Sequence, residues 1–374
     1  MAQLPTVEDV AALAGVSRQT VSNVLNTPDI VRPETRERVQ TAISELGYHP
    51  HASARRLRTR QSSTIGIRLD PVANGVSGSI LDRFLHSLTE QADVRGMRIT
   101  LFTAQDPDDE IRRYRRFRDG ADVDAFVLTA TQYDDPRIAW LAQERIPFVA
   151  FGRPWGSAHL DDPDRLWVDV DGRAGVRAAT EHLVGRGHRH IGYLGWPSGS
   201  GTGDDRRSGW AEAMTAAFGS TPDELAALET TTEEGVPTAR VAIEGLFRDG
   251  TELEALVCAS DSLALGAMMA VREAGFPHFP IIGFDNTPVA KAVGLSSVDQ
   301  RLDDVAAGTL ELLMGATGRR VLPHGTGGSG PGDAGDPRHR LIVPQLVVRR
   351  SSHLAPVEEA GGITTGNHNR KDMQ

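Results

Sequence analysis

Apolar positions along this chain follow two different rhythms. Over the first fifty residues they recur at helical spacing in three short runs: Val7, Val10, Ala11 and Ala14; then Val16, Val21, Val24 and Leu25; then Val39, Ala42, Ile43 and Leu46. Start and stop signals frame each run. Thr6 stands as an N-cap with Asp9 three residues on, an aspartate variant of the capping box. Gly15 supplies the positive φ that a sharp corner needs, and Ser17 restarts a helix as its N-cap. Pro33 fits the first position of a third helix, and Gly47 ends it. Two helices joined by so short a glycine turn predict a helix-turn-helix, with Val31 and Leu46 closing a small core beneath it.

From Thr64 onward the rhythm changes to short apolar runs alternating with longer helical patterns. Strands are predicted at Thr64–Leu69, Ile99–Phe102, Ala125–Leu128, Phe148–Phe151 and Trp167–Val170. A second series starts at His190–Leu194, continues at Ala255–Cys258 and Ile281–Phe284, and ends near Leu346–Val348. Helical stretches such as LDRFLHSLTEQADVRG and RAGVRAATEHLVGRG fall between or after them. The expected fold is an α-helical N-terminal head followed by a two-lobed α/β core built on two doubly wound parallel sheets. The expected boundaries are 1–50 for the head, 51–63 for a linker, 64–350 for the core and 351–374 for an unstructured tail. Within the core, residues 324–337 (HGTGGSGPGDAGDP, six glycines) read as a disordered surface insertion.

Ligands in such folds bind at the carboxyl ends of strands, and with two lobes the site falls in the cleft between them. The polar residues just after strands are therefore the candidates: Asp70, Arg153, Asp171, Asp261 and Asp285, with Arg206 ahead of a helix beginning at DRRSGW and Gln300 completing the set. An Arg/Asp pair there can bracket vicinal hydroxyls, one donating in a fork and the other accepting. Asp171 and Asp261 are equally suited to capping helices, and Asp285 to holding a turn or the lobe interface. Trp155, Trp196 and Trp210 can stack on sugar rings or simply pack. The run GSGTG at 199–203 follows a strand but lacks a phosphate-loop lysine, and reads as a mobile loop over the cleft.

Charge sharpens the division. Residues 1–60 hold eight arginines against six acidic residues, a balance of +2. With −10 for the whole chain, the remainder carries −10 − (+2) = −12 and is not expected to bind DNA itself. On the head, the second helix presents Arg18, Gln19, Ser22 and Asn23 away from its apolar face. Arg18 can donate two bonds to guanine, and Gln19 or Asn23 can pair with adenine. Arg55, Arg56, Arg58 and Arg60 crowd the end of the segment, where phosphate contacts would make binding salt-dependent. A small helical bundle with no nucleic-acid partner shares the apolar pattern, but not this polar face with its basic end.

Several classes of function find no support. Cys258, the only cysteine, lies in the apolar run ALVCAS, so no disulfide forms within the chain, as suits a reducing cytosol. No signal peptide opens the sequence, and no apolar run approaches the roughly 18 residues of a membrane span, so a cytoplasmic location is expected. His188 and His190 have neither facing-helix nor usual zinc spacing. Nucleophile-elbow, Walker and dinucleotide fingerprints do not occur in a strand–turn–helix context. Neither enzyme activity, cofactor nor metal is expected.

Eight strings in fixed order then resemble one family: TVEDVAALAGVSRQTVSNVLN, TRERVQTAISELGYHPHASARRL, STIGI, VDVDGRAGVRAATEHLVGRGHRHIGYLG, DRRSGW, ASDSLALGAM, IIGFDN and PQLVVRRS. They span roughly residues 4–352 and are similar to the lactose-repressor/galactose-repressor (LacI/GalR) family of bacterial transcription factors. The resemblance implies that Arg18, Gln19 and Asn23 read bases, with Thr6, Ser17, Thr20, Ser22 and Asn26 beside them. It also implies a hinge helix over Ala52–Leu57, where Arg55 and Arg56 meet the backbone and Leu57 wedges into the minor groove. Asn23 and Ser53 depart from the usual residues at their positions, so the operator sequence and the strength of hinge pairing do not carry over. Effector contacts are implied at Arg206 and Asp261. The function implied is repression of carbohydrate-utilisation genes by a homodimer, or a tetramer, bound to a near-palindromic operator and governed by a small sugar. A nucleobase or other metabolite is the alternative effector. A solute-binding protein, or a sugar-processing protein that uses the head for targeting, is the alternative of another class.

Overall fold

The structure, a computed structural model, describes residues 5–48, 62–69, 78–156, 165–317 and 338–353. The hinge stretch with Arg55, Arg56 and Leu57, the candidate Asp70, the glycine-rich insertion and the tail lie outside the described residues. The chain divides into two compact units, the first comprising Met1–Ser63 with Arg118–Val123 and the second Thr64–Phe117 with Asp124–Gln374.

In the first unit three helices form: α1 (Val7–Ala14), α2 (Arg18–Asn26) and α3 (Pro33–Leu46). Local chemistry sets each boundary. The Thr6 hydroxyl accepts from Asp9 N at 3.3 Å and the Asp9 carboxylate accepts from Thr6 N at 2.7 Å, closing a capping box. Gly15 and Gly47 take φ of +61° and +59°, the left-handed C-cap that lets each helix stop within one residue. Val10, Val21 and Val39 are fully buried where the helices meet, with Val31 and Leu46 packed at the margin.

The second unit has two lobes. Lobe one is laid down as β1 (Thr64–Leu69), α4 (Gly78–Val94), β2 (Arg98–Thr103), α5 (Pro107–Asp119) and β3 (Ala125–Leu128). It continues with α6 (Pro136–Gln143), β4 (Phe148–Phe151) and β5 (Trp167–Val170). Lobe two begins with α7 (Gly172–Val184), β6 (Ile191–Gly195), α8 (Gly201–Phe218), α9 (Pro222–Leu228), β7 (Glu229–Thr231) and α10 (Val236–Arg248). After β8 (Ala255–Cys258), α11 (Asp261–Glu273), β9 (Ile281–Phe284), α12 (Pro288–Val293) and β10 (Ser296–Asp299), the chain returns to lobe one for α13 (Leu302–Ala316) and β11 (His339–Ile342). It finishes in lobe two with β12 (Gln345–Val347). The sheets run β11-β5-β4-β3-β1-β2 and β12-β10-β9-β8-β6-β7, parallel throughout except where β12 lies antiparallel on β10.

Most strands stand where the apolar runs put them, and the differences have local causes. β6 is shifted one residue from the expected span. β10 reads SSVD and shows no apolar run, yet Ser296 and Ser297 are fully buried because their hydroxyls are bonded, to Arg349 O at 3.0 Å and to Asp261 at 2.6 Å. The run at 199–203 is not a mobile loop. Gly201–Gly203 form the first turn of α8, where Ser200 caps the helix by accepting from Gly203 N at 3.2 Å. The helix expected to begin at DRRSGW therefore starts four residues earlier, at Gly201, and carries Arg206 inside it.

Trp210 is fully buried, donates its indole N–H to Ile191 O at 3.0 Å and stacks on Tyr193 with centroids 5.5 Å apart. It is a packing residue, not a sugar platform. One residue earlier, Gly209 lets α8 cross α7 closely, since a Cβ there would meet Arg173 O at 2.1 Å. Backbone cannot yield as a side chain does. Gly209→Ala should cost the core about 1–3 kcal/mol of overpacking strain, a drop of roughly 2–4 °C in midpoint per kcal/mol. Calorimetry of the full chain reads this directly, and an unchanged core midpoint would mean that the two helices part freely.

Candidate functional site

Two arrangements in the structure bear on function. The first is the outer face of α2. Ser17 caps the helix by accepting from Thr20 N at 3.1 Å, which fixes the direction in which the first turn leaves the corner at Gly15. Arg18 and Gln19 are exposed on that turn, with Ser22 and Asn23 half-buried on the next. Gln19 Nε2 donates to Asn23 Oδ1 at 3.0 Å, and Arg18 reaches Glu8 of α1 at 2.9 Å. Both Arg18 and Glu8 are about two-thirds exposed, so the pair is worth little and yields readily to a stronger acceptor. Of the residues flanking these, Thr6 is spent as the α1 cap and Thr20 bonds Ser17, while Asn26 is the last residue of α2. The face has side chains suited to base edges, and none of them is locked by burial.

The second is a cavity of about 270 Å³ in the core. Residues after β3 and β4 and within β5 line its lobe-one side, and the first turns of α8 line it from lobe two. Arg153 spans the two sides. Its Nε donates to Asp169 of β5 at 2.8 Å and its Nη2 donates to Asp205 of α8 at 2.7 Å. Burial raises the Asp169 carboxyl above its ordinary range, with the adjoining Arg153 charge pulling it back. Arg206 lies deeper. Its Nη1 donates to Ala259 O at 2.6 Å, and its guanidinium carbon sits 3.7 Å from the Phe284 ring centroid.

Three buried polar atoms of the cavity wall have no hydrogen-bond partner among the described residues: Arg206 Nε, Trp155 Nε1 and Thr129 Oγ1. Leaving such a group unbonded costs about 1–3 kcal/mol each. The wall is therefore poised for a ligand rich in oxygen acceptors. Its two guanidinium groups face two carboxylates, Asp169 and Asp205, so the cavity offers no surplus positive charge to a phosphate. The Trp155 ring lies 4.6 Å from the Arg153 guanidinium carbon.

Of the residues singled out in the sequence, the structure brings Arg153, Arg206 and Gln300 to this cavity. Asp285 stands one layer behind, accepting from Gln300 Nε2 at 2.6 Å and lying 3.9 Å from Arg206 Nη1. Asp171 caps α7 by accepting from Ala174 N at 2.9 Å, the plainer of its two readings. Asp261 does not face the cavity. It is fully buried and accepts from Thr287 N and Oγ1, both at 2.8 Å, and from Ser297 Oγ at 2.6 Å, tying α11 to β10 and to the start of α12. Trp196 bonds Glu234 at 2.7 Å and lies 5.3 Å from the Arg206 guanidinium, outside the cavity lining. Sequence reasoning missed Asp169, Asp205, Trp155 as a donor, and Thr129. A signal existed for Asp169, a carboxylate in the middle of the apolar strand WVDV; none existed for Asp205, hidden by misplacing the start of α8. Among the described residues no cluster of three His, Cys, Asp or Glu side chains is placed to hold a metal, and no helix is long and apolar enough to cross a membrane.

A helix-turn-helix head with an open polar face, joined to a two-lobed core with a half-open, acceptor-seeking cavity, defines a DNA-binding transcriptional regulator of the ligand-responsive kind. The chain belongs to the LacI family of bacterial regulatory proteins. Residues 6–51 match the family's DNA-binding model, and residues 79–321 match the model of periplasmic binding proteins and the sugar binding domain of the LacI family. The HTH-type transcriptional regulator CelR of Thermobifida fusca is 31% identical over 357 residues, covering 93% of this chain and 98% of that protein. A solved complex of a transcriptional regulator CelR with cellobiose superposes with a TM-score of 0.64 at 29% identity, covering 93% of this chain and 100% of the other. The lac repressor dimer bound to operator and the anti-inducer ONPF shares the fold, with a TM-score of 0.73 at 23% identity over 94% of this chain and 99% of that one.

Burial pushes the Asp285 carboxyl up to about 8 from the ordinary 3.8, with Arg206 opposing the rise and Asp261 adding to it. Its folded-state value thus lies above its unfolded one, so the unfolded chain sheds the proton first as pH rises. The stability that this carboxyl contributes is then full below about pH 4 and is lost through the interval up to about pH 8. Asp285→Asn, which keeps the acceptor for Gln300, should flatten that decline and raise the core's midpoint at pH 8 relative to wild type. Thermal melts between pH 5 and 8 check this; parallel slopes in the two proteins would place the ionised carboxylate in the folded state.

Proposed function

We propose that this regulator represses carbohydrate-utilisation genes as a homodimer whose operator affinity is set by a neutral sugar held in the core cavity. The observation that carries the reading is the set of unpartnered donors on Arg206, Trp155 and Thr129 in a wall where Asp169 and Asp205 both accept from Arg153. Sugar hydroxyls accept as well as donate, and they bring no charge to be neutralised. The likeness to a regulator solved with cellobiose supports the same class of ligand. Arg153, Arg206 and Gln300 are the effector contacts proposed from the original set, joined by Asp169, Trp155 and Asp205. Asp285 orients Gln300 from behind.

On the DNA side, Arg18, Gln19 and Asn23 read one half-site in the major groove, flanked by Ser17, Ser22 and Asn26. Arg55, Arg56 and Leu57 meet the operator centre. A second copy supplies the other half-site. Support for a dimer comes from lobe two, where Met269, Phe276, Val289 and Val293 are large apolar side chains between 38% and 53% exposed on α11, α12 and the turn between. Effector and operator influence each other's binding equally, and a coupling of about 1–3 kcal/mol gives a response of roughly five- to 150-fold.

Selection of bound sites from random duplex DNA, with and without cellobiose, tests the reading. A near-palindrome whose enrichment changes on adding the sugar is the expected result. Arg18→Ala should weaken binding by about 1–3 kcal/mol and relax preference at one base pair in each half-site. Absence of any palindrome at low salt would overturn the assignment of the α2 face, and a palindrome indifferent to cellobiose and to a panel of other neutral sugars would overturn that of the cavity.

A further inference from the structure

The first turn of α8 is held by three side chains from loops of lobe one. Tyr133 Oη donates to Asp204 Oδ2 at 3.4 Å, and Arg153 Nη2 donates to Asp205 Oδ2 at 2.7 Å. Trp155 lies against Gly201. A Cβ at position 201 would stand 2.1 Å from Trp155 Cδ2 and 2.2 Å from Cγ, closer than any real contact, so one partner would have to move. Gly201 is not required by its own backbone. It is the first residue of a regular helix and is not among the residues with positive φ, so alanine would suit the conformation better than glycine does. What glycine provides there is room for the indole.

The indole has little freedom to give way. Arg153, itself fixed to both lobes, rests over its ring at 4.6 Å, and its buried Nε1 belongs to the cavity wall. The preceding loop is equally confined, with Gly152 at φ +118° and no space for a Cβ beside Thr131 Oγ1. We propose that Trp155 and Gly201 form a steric key. The missing side chain at 201 lets α8 seat against lobe one, and only in that seat is the Trp155 N–H presented to a ligand. Trp155 is then a ligand donor and Gly201 a positioning residue that acts through it. The inference rests on the sugar-binding reading for its ligand arm, but its mechanical arm does not.

Two variants separate the arms: Gly201→Ala, and Gly201→Ala combined with Trp155→Leu. Cys258 is buried and is the only cysteine, so Cys258→Ser with Glu144→Cys and Asp223→Cys allows spin labels on exposed sites of the two lobes. In the full chain, Gly201→Ala should lengthen the interlobe label distance, and the double variant should restore it. Cellobiose affinity by calorimetry should fall about tenfold in Gly201→Ala if about a tenth of molecules still close. It should recover only in part in the double variant, whose indole donor is gone. An unchanged label distance in Gly201→Ala, or a double variant that folds by circular dichroism yet stays open, would overturn the key. Wild type failing to bind cellobiose would count against that sugar as effector, leaving the distance measurement to decide the key by itself.

Discussion

One half-buried guanidinium links the two lobes of this core. Arg153 is anchored to its own lobe through Asp169 and reaches across to Asp205 of the other. A buried charge is costly unless paired and bonded, so the position of Arg153 ties the geometry of one lobe to that of its neighbour. The same side chain covers Trp155 and faces the cavity. A ligand entering beside it would compete for its hydrogen bonds, and a change in those bonds would bear on both lobes.

Behind that front row lies a set of acids whose work is internal. Asp261 knits α11, α12 and β10 together, and Asp285 steadies Gln300. Gly283 makes the first arrangement possible, since a Cβ there would fall 2.3 Å from Asp261 Oδ1. Lobe one has its own counterpart. Arg137, almost fully buried, pairs with Asp135 and Glu110 and donates to the carbonyls of Thr129 and Ala130, which form part of the cavity wall. Both halves of the cavity are backed by satisfied polar networks, and such networks hold a wall in one shape better than apolar contacts do.

The head and most strand positions of the core were legible because the signals there are local. Thr6, Gly15, Ser17 and Gly47 act within a turn of their own position, and strands such as Ala125–Leu128 are uninterrupted apolar runs. What escaped was decided at a distance. β10 is a strand because its serines find partners on other segments, and Asp205 belongs to the cavity because Arg153, far away in sequence, donates to it. The role of Asp261 turned on the same kind of evidence. A carboxylate following a strand looks alike whether it faces a ligand or a neighbouring hydroxyl; only the positions of Thr287 and Ser297 tell the two apart.

The path of the chain between lobes has a consequence for how the protein comes to be folded. β5 leads straight into lobe two, α13 and β11 return to lobe one, and β12 goes back again, so each sheet takes an outer strand from the segment 339–347. β11 pairs with β5 across more than one hundred and sixty residues of intervening sequence. Neither lobe can complete its sheet as it leaves the ribosome, and each waits with an unpaired edge on β5 or β10 until that late segment arrives. Such contacts of long sequence separation slow folding and prolong the exposure of strand edges. The chain path that shares the segment 339–347 between two lobes therefore also obliges them to finish folding together.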